Sequence, residues 1–265
     1  MQEQFPGQEF PGDDPTNYLN SDTAPFDLPR SPGKVLDELG HEFRVGINGF
    51  GRLGRTIFWY LSYNTPYINI VAVNDPHVEA TQAATLLQEE HSQGRLAPST
   101  NLEIHAEAAA STLLLKDTAT GKTATVQFSA QDDPSILGWA SLGAFHVIEC
   151  SGMFTTVAAA SAHLSTGKTS GQPDDDGAGG AFKVLIAAAS PDAPRFYPRV
   201  NLREYRVEQS VFVCAPPGGD EHLAAQGDNS AVDENHVWQY ADHVLELLSE
   251  SYVPCLYLFY VCFQV

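Results

Sequence analysis

Apolar residues in this chain gather into short runs separated by polar and glycine-rich stretches. Four of them, within 44–48, 69–73, 145–149 and 183–187, read as strands. Runs with so few polar interruptions suit a parallel sheet covered on both faces. Between the first two lies Thr56-Ile57-Phe58-Trp59-Tyr60-Leu61, a run that reads as helix. Strand, helix, strand predicts an α/β fold with a doubly wound, mostly parallel sheet. Far downstream, Val237, Tyr240, Ala241, Val244 and Leu248 recur at helical spacing and predict an amphipathic helix, with His236 and His243 on its polar flank. The closing VPCLYLFYVCFQV is apolar over about a dozen residues, too short to span a bilayer, which takes ~20. Unless packed, it is an aggregation hazard.

The turn after the first strand carries the candidate chemistry. Asn48 leads into Gly49-Phe50-Gly51-Arg52-Leu53-Gly54, spaced Gly-x-Gly-x-x-Gly, and Asp75 closes the second strand 21 residues after Gly54. Strand, glycine turn, helix, strand and acid together form the dinucleotide-binding fingerprint of a Rossmann-like domain. Gly49 permits the tight turn, Gly51 lets a pyrophosphate approach, and Gly54 lets the helix pack on the strand. The helix N-terminus offers free N–H groups and a partial positive charge to phosphates. Asp75 can accept from ribose hydroxyls and would repel a 2′-phosphate, which favours NAD over NADP.

These residues resemble the glyceraldehyde-3-phosphate dehydrogenase family. VGINGFGRLGR is similar to its N-terminal signature, and the likeness runs through NIVAVNDPHV, Leu86-Leu87-Gln88, Gly94-Arg95, Gly121-Lys122, Asp133-Pro134 and Trp139. It continues through Gly143-Ala144, VIECSGMFTT, Ala162-His163-Leu164, Lys183 to Phe196 and Val200-Asn201, ending at Tyr205. The resemblance implies pyrophosphate contacts from the backbone of Arg52 and Leu53, ribose contacts from Asp75, and Ser151 and Phe154 along the adenosine side. For Phe154 an ordinary core position stays equally open. The chain also departs from the family: Ala187 stands for its Ser near the nicotinamide, Asp132 for a basic residue, Gln93 for a His. An insertion over 165–181 splits a strand pair.

After Tyr205 the family's Ser-Asn-Ala-Ser-Cys-Thr-Thr, which holds the acylating Cys, is replaced by VEQSVFVCAPPGGDEH. Cys214 is the nearest thiol. It is followed within three positions by Pro216 and Pro217, which lack the backbone N–H groups that an oxyanion hole or a helix N-terminus would use. His243 is the nearest analogue of the family's base, but it falls on the amphipathic helix. Residues 207–265 hold nine acids and no Lys or Arg, a segment of net charge −9. Such a segment repels the sugar phosphate that the family oxidises. That substrate is expected as a partner only if the missing half is restored. The abrupt end of the likeness suggests a frame change, a mis-spliced exon or a truncated gene, which translation of the other frames beyond codon 206 would reveal.

Three readings therefore compete: an NAD-binding domain without catalysis, a dehydrogenase rebuilt around Cys214 and His243, and a structural or interaction module that keeps the fold. The first is preferred.

The formal charge of −19 sits mainly in the extensions, −7 over 1–43 and −3 over 44–206. That disfavours nucleic acid or an anionic membrane as a partner. Residues 1–43, rich in Pro, Gly and acids, read as a disordered arm, too polar for a signal peptide and too acidic for a mitochondrial one. The 165–181 insertion reads as a flexible loop. Its Thr-Gly-Lys-Thr lacks a phosphate loop's upstream Gly, and Asp174 to Asp176 read as solvated, with no metal expected. Cys150, Cys214, Cys255 and Cys262 show no paired spacing and read as reduced thiols of a cytoplasmic protein, with Cys150 a packing residue. The expected organisation is an acidic arm over 1–43, an NAD-binding domain over 44–206, and an irregular or helical tail over 207–265.

Overall fold

The computed structural model describes residues 43–64, 68–93, 102–119, 121–164, 179–196, 204–206 and 209–213. The acidic arm, Cys214, His236, His243 and the amphipathic helix of the tail lie outside the described residues, as does most of the 165–181 insertion.

Eight strands form one mixed sheet: β1 Phe43–Asn48, β2 Ile68–Asn74, β3 Leu102–Glu107, β4 Thr112–Asp117, β5 Thr123–Ser129, β6 His146–Glu149, β7 Lys183–Ile186 and β8 Val211–Val213. Their spatial order is β3-β4-β5-β2-β1-β6-β7-β8. The four strands expected from apolar runs are β1, β2, β6 and β7, and all their mutual pairings are parallel. β3, β4 and β5 add an antiparallel meander on one side, whose β5 pairs parallel with β2. β8 pairs parallel with β7 on the other. It lies beyond the boundary at 206, so the folded unit runs from Phe43 to at least Val213. Phe196, Tyr205 and Phe212 seal that end with edge-to-face ring contacts.

Helix α1 (Arg52–Asn64) packs on β1 and β2, and α2 (Ala80–Ser92) on β3 and β4. Alternate strand residues face opposite sides, as a pleated strand requires. Val73 and Ile148 join the large core with Ile57, Phe58 and Leu61 of α1. Their neighbours Ala72 and Val147 pack with Trp139 on the other face. Gly46 makes this possible, since a Cβ there would lie 2.6 Å from the Trp139 ring.

From β1 the chain passes to β2 on one side and later returns to β6 on the other. That reversal opens a crevice at the carboxyl ends of β1 and β6, where doubly wound sheets bind ligands.

Candidate functional site

The turn from Gly49 to Gly54 sits at the carboxyl end of β1. Gly49 adopts φ +92, and its N–H donates to Asn74 O at 2.8 Å. A side chain there would strike the backbone of Ser151, with Ser151 N at 2.5 Å from its Cβ. Gly54 is closer still to its surroundings: a Cβ would lie 2.1 Å from Gly49 O. Gly51 differs from both, because nothing lies within 4 Å of where its Cβ would be. Two glycines thus let protein pack on protein, and the third faces open space.

The helix ladder begins with Arg55 N–H donating to Gly51 O at 3.0 Å. The N–H groups of Arg52, Leu53 and Gly54 therefore precede it and have no intrahelical partner. No acid occupies the first turn of α1. The helix's own sequence therefore does not offset the positive end of its dipole. The Arg55 guanidinium donates to Phe50 O at 2.9 Å and, through Nε and Nη2, to Glu90 Oε1 at 2.9 and 2.6 Å. This ties the turn to α2.

Asp75 is half-buried beside the turn. Its Oδ2 accepts from Phe50 N–H at 2.7 Å and its Oδ1 from His77 N–H at 2.8 Å. Each carboxylate oxygen keeps a lone pair for a further donor. Ser151 is exposed at the end of β6, where its N–H and hydroxyl both donate to Glu149 Oε1. Phe154 is half-buried, packed against the core and edge-on to His163 at 5.6 Å.

Two of the ten residues singled out from sequence have buried side chains. The Phe50 ring is fully buried against Phe58 and Phe128. Asn48 is 3% exposed and spends its amide on Glu149 and Asn74. Both support the turn from beneath. The remaining eight, namely Gly49, Gly51, Arg52, Leu53, Gly54, Asp75, Ser151 and Phe154, are brought to one end of the sheet.

Sequence reading missed the polar belt below them. Asn74 donates to Asn48 Oδ1 at 2.8 Å and to Gln131 O at 2.9 Å, and Gln131 N–H donates back to Asn74 Oδ1 at 2.9 Å. Asn48 donates to Glu149 Oε2 at 2.6 Å, and His163 Nε2 lies 2.8 Å from the same oxygen. Trp139 Nε1 donates to His163 Nδ1 at 3.1 Å. A signal was present, for Asn48, Asn74 and Glu149 each end an apolar strand with a polar residue.

Cys150 is a free, half-buried thiol. Burial, then the neighbouring Glu149 charge, raises its pKa well above the usual value. It stays protonated and unreactive, in keeping with a packing residue. Among the described residues no group of His, Cys, Asp and Glu could hold a metal. None of the described helices is long and apolar enough to cross a membrane.

Comparison with known proteins agrees with this geometry. Residues 43–157 match the family described as glyceraldehyde 3-phosphate dehydrogenase, NAD binding domain. The chain is 37% identical over 169 residues to glyceraldehyde-3-phosphate dehydrogenase of Aspergillus oryzae, 38% over 169 residues to that of Coccidioides immitis, and similar to glyceraldehyde-3-phosphate dehydrogenase 1 of Mucor circinelloides at 37%. Each alignment covers 64% of this chain and 42% of the relative. The chain thus spans about two-fifths of the length of the relatives it matches.

Proposed function

We propose, from the premise that residues 43–157 are an NAD-binding domain of the glyceraldehyde-3-phosphate dehydrogenase family, that this chain binds NAD without itself completing the family's aldehyde oxidation. The observation that carries the reading is the contrast among the glycines. Of the three glycines in the turn, Gly51 is the one that opens on space, directly before three N–H groups that have no helical partner. That is where a pyrophosphate fits, held by the backbone of Arg52 and Leu53. Asp75 offers its remaining lone pairs to the ribose hydroxyls, and Ser151 and Phe154 border the adenosine side. Bound NAD would supply a hydride acceptor. The protein's part is to orient it at the crevice between β1 and β6.

The catalytic half of the proposal is negative. The Cys150 thiol is held protonated. The −9 charge of residues 207–265 opposes a sugar phosphate. A cytoplasmic setting suits a free thiol.

Calorimetry tests the reading. The full chain should bind NAD weakly, and Asp75→Ala should weaken it by roughly 1–2 kcal/mol through lost charge-assisted bonds. Absence of binding at millimolar NAD would instead support a module that keeps the fold without its cofactor. Ala187, Asp132 and Gln93, where the chain departs from the family, favour that second reading.

A further inference from the structure

Resting on the NAD-binding reading, we infer that Glu149 is a positioning residue for the cofactor crevice: it is the acceptor on which a buried hydrogen-bond belt converges, and it fixes the loops at the ends of β1, β2, β5 and β6. An indole only donates, so Trp139 Nε1–H makes His163 Nδ1 an acceptor. The His163 proton then lies on Nε2 and points at Glu149 Oε2. Asn48 donates to the same oxygen, while Ser151 N–H and the Ser151 hydroxyl donate to Oε1. Met153 N–H donates to Ser151 Oγ, which turns the hydroxyl proton toward Glu149.

Four donors thus meet two oxygens, a pattern that only an acceptor-only carboxylate satisfies. The consequence travels outward. Because Glu149 takes the Asn48 NH2 group, the Asn48 oxygen must face Asn74. Because that oxygen and Gln131 O take the two protons of the Asn74 amide, its own oxygen must face Gln131 N–H. One carboxylate therefore sets the orientation of two buried amides. Through them it holds the residue before Gly49, the residue before Asp75, the segment after β5 and the Ser151 loop. Glu149 and His163 are 1% and 0% exposed, so water cannot replace a lost partner. Apart from Ser151, none of these groups need touch NAD; they hold the backbone that does.

The direction rule makes a prediction that bulk stability does not. Glu149→Gln turns one acceptor into a donor and sets donor against donor. NAD affinity should fall about tenfold, the effect of one buried donor left unmade. Asn48→Asp alone sets carboxylate against carboxylate and should also weaken binding. The double variant Asn48→Asp/Glu149→Gln restores an acceptor opposite the new NH2 group and leaves only the His163 proton opposed to it, so it should bind NAD more tightly than either single variant but less tightly than wild type. Losses that simply add would overturn the inference.

Should a single variant fail to fold, the wild-type protein still decides. In side-chain amide NMR the Asn48 NH2 resonance should exchange slowly and shift on NAD saturation together with the backbone amides of Arg52 and Leu53. Fast exchange, or no shift while those amides respond, would sink the positioning role. A wild-type chain that binds no NAD would sink the NAD reading instead. Wild-type binding with Glu149→Gln unchanged would sink only this inference.

Discussion

Gly51 and Gly54 lie three residues apart and answer to different constraints, which substitution can separate. A methyl at Gly54 would stand 2.1 Å from Gly49 O and 3.1 Å from Gly49 C, with Cys150 Cβ at 3.6 Å. Gly54→Ala should therefore cost about 2–4 kcal/mol, as overpacking with backbone displacement does, and lower the urea midpoint accordingly. Gly51→Ala meets nothing within 4 Å. Its unfolding should stay within about 0.5 kcal/mol of wild type, while NAD affinity drops at least about tenfold because the methyl occupies the pyrophosphate's approach. Loss of stability without loss of binding in Gly51→Ala would reverse the assignment. The close packing at Gly54 follows from the spacing alone. The inward positions of Asn48 and Phe50 do not, because spacing specifies backbone conformation and says nothing of where a neighbouring ring or amide turns.

Among elements, the strands buried on both faces were legible and the meander was not. β1, β2, β6 and β7 are runs of Val, Ile, Leu and Ala with few polar breaks. In β3, LEIHAE, Ile104 is the one buried residue, and β5 alternates exposed Thr125 and half-buried Gln127 with buried Val126 and Phe128. One-sided strands carry half the apolar signal, and β8 has three residues only. Pairing also creates an ionisation that neither strand shows alone. His146 lies opposite Lys183, and its ring centroid is 4.3 Å from that of Phe43 at a 40° tilt. Burial, and then the Lys183 charge, depress its pKa to about 3. The unfolded chain takes up this proton near pH 6.5, whereas the folded one does not until near pH 3. Stability from this group is complete above about pH 6.5 and is lost as pH falls toward 3, with a slope approaching about 1.4 kcal/mol per pH unit. Denaturant unfolding between pH 7 and pH 5 should show it, and His146→Phe should flatten the slope. An unchanged slope in that variant would assign the acid sensitivity elsewhere.

At the scale of the whole molecule, charge and coverage point the same way. The net charge of −19 faces a cofactor that is itself an anion. Long-range repulsion should slow its approach at low salt, so NAD affinity should rise modestly between about 10 and 150 mM salt as the Debye length shrinks from ~30 to ~8 Å. Oxidation of glyceraldehyde 3-phosphate asks for more than cofactor binding. It requires a thiolate to attack the aldehyde, a base, and cationic groups to hold the phosphate. Residues 43–157 match an NAD-binding domain, and the matched relatives are covered over only 42% of their length. Cys150 is kept neutral by burial and by the adjacent Glu149. Cys214 is followed closely by two prolines, in a segment with nine acids and no Lys or Arg. NADH absorbance with glyceraldehyde 3-phosphate, NAD and phosphate should therefore stay at background even where calorimetry shows NAD bound. Turnover that disappears in Cys214→Ser would show that the acidic segment had rebuilt a thiolate site, and would restore the dehydrogenase reading.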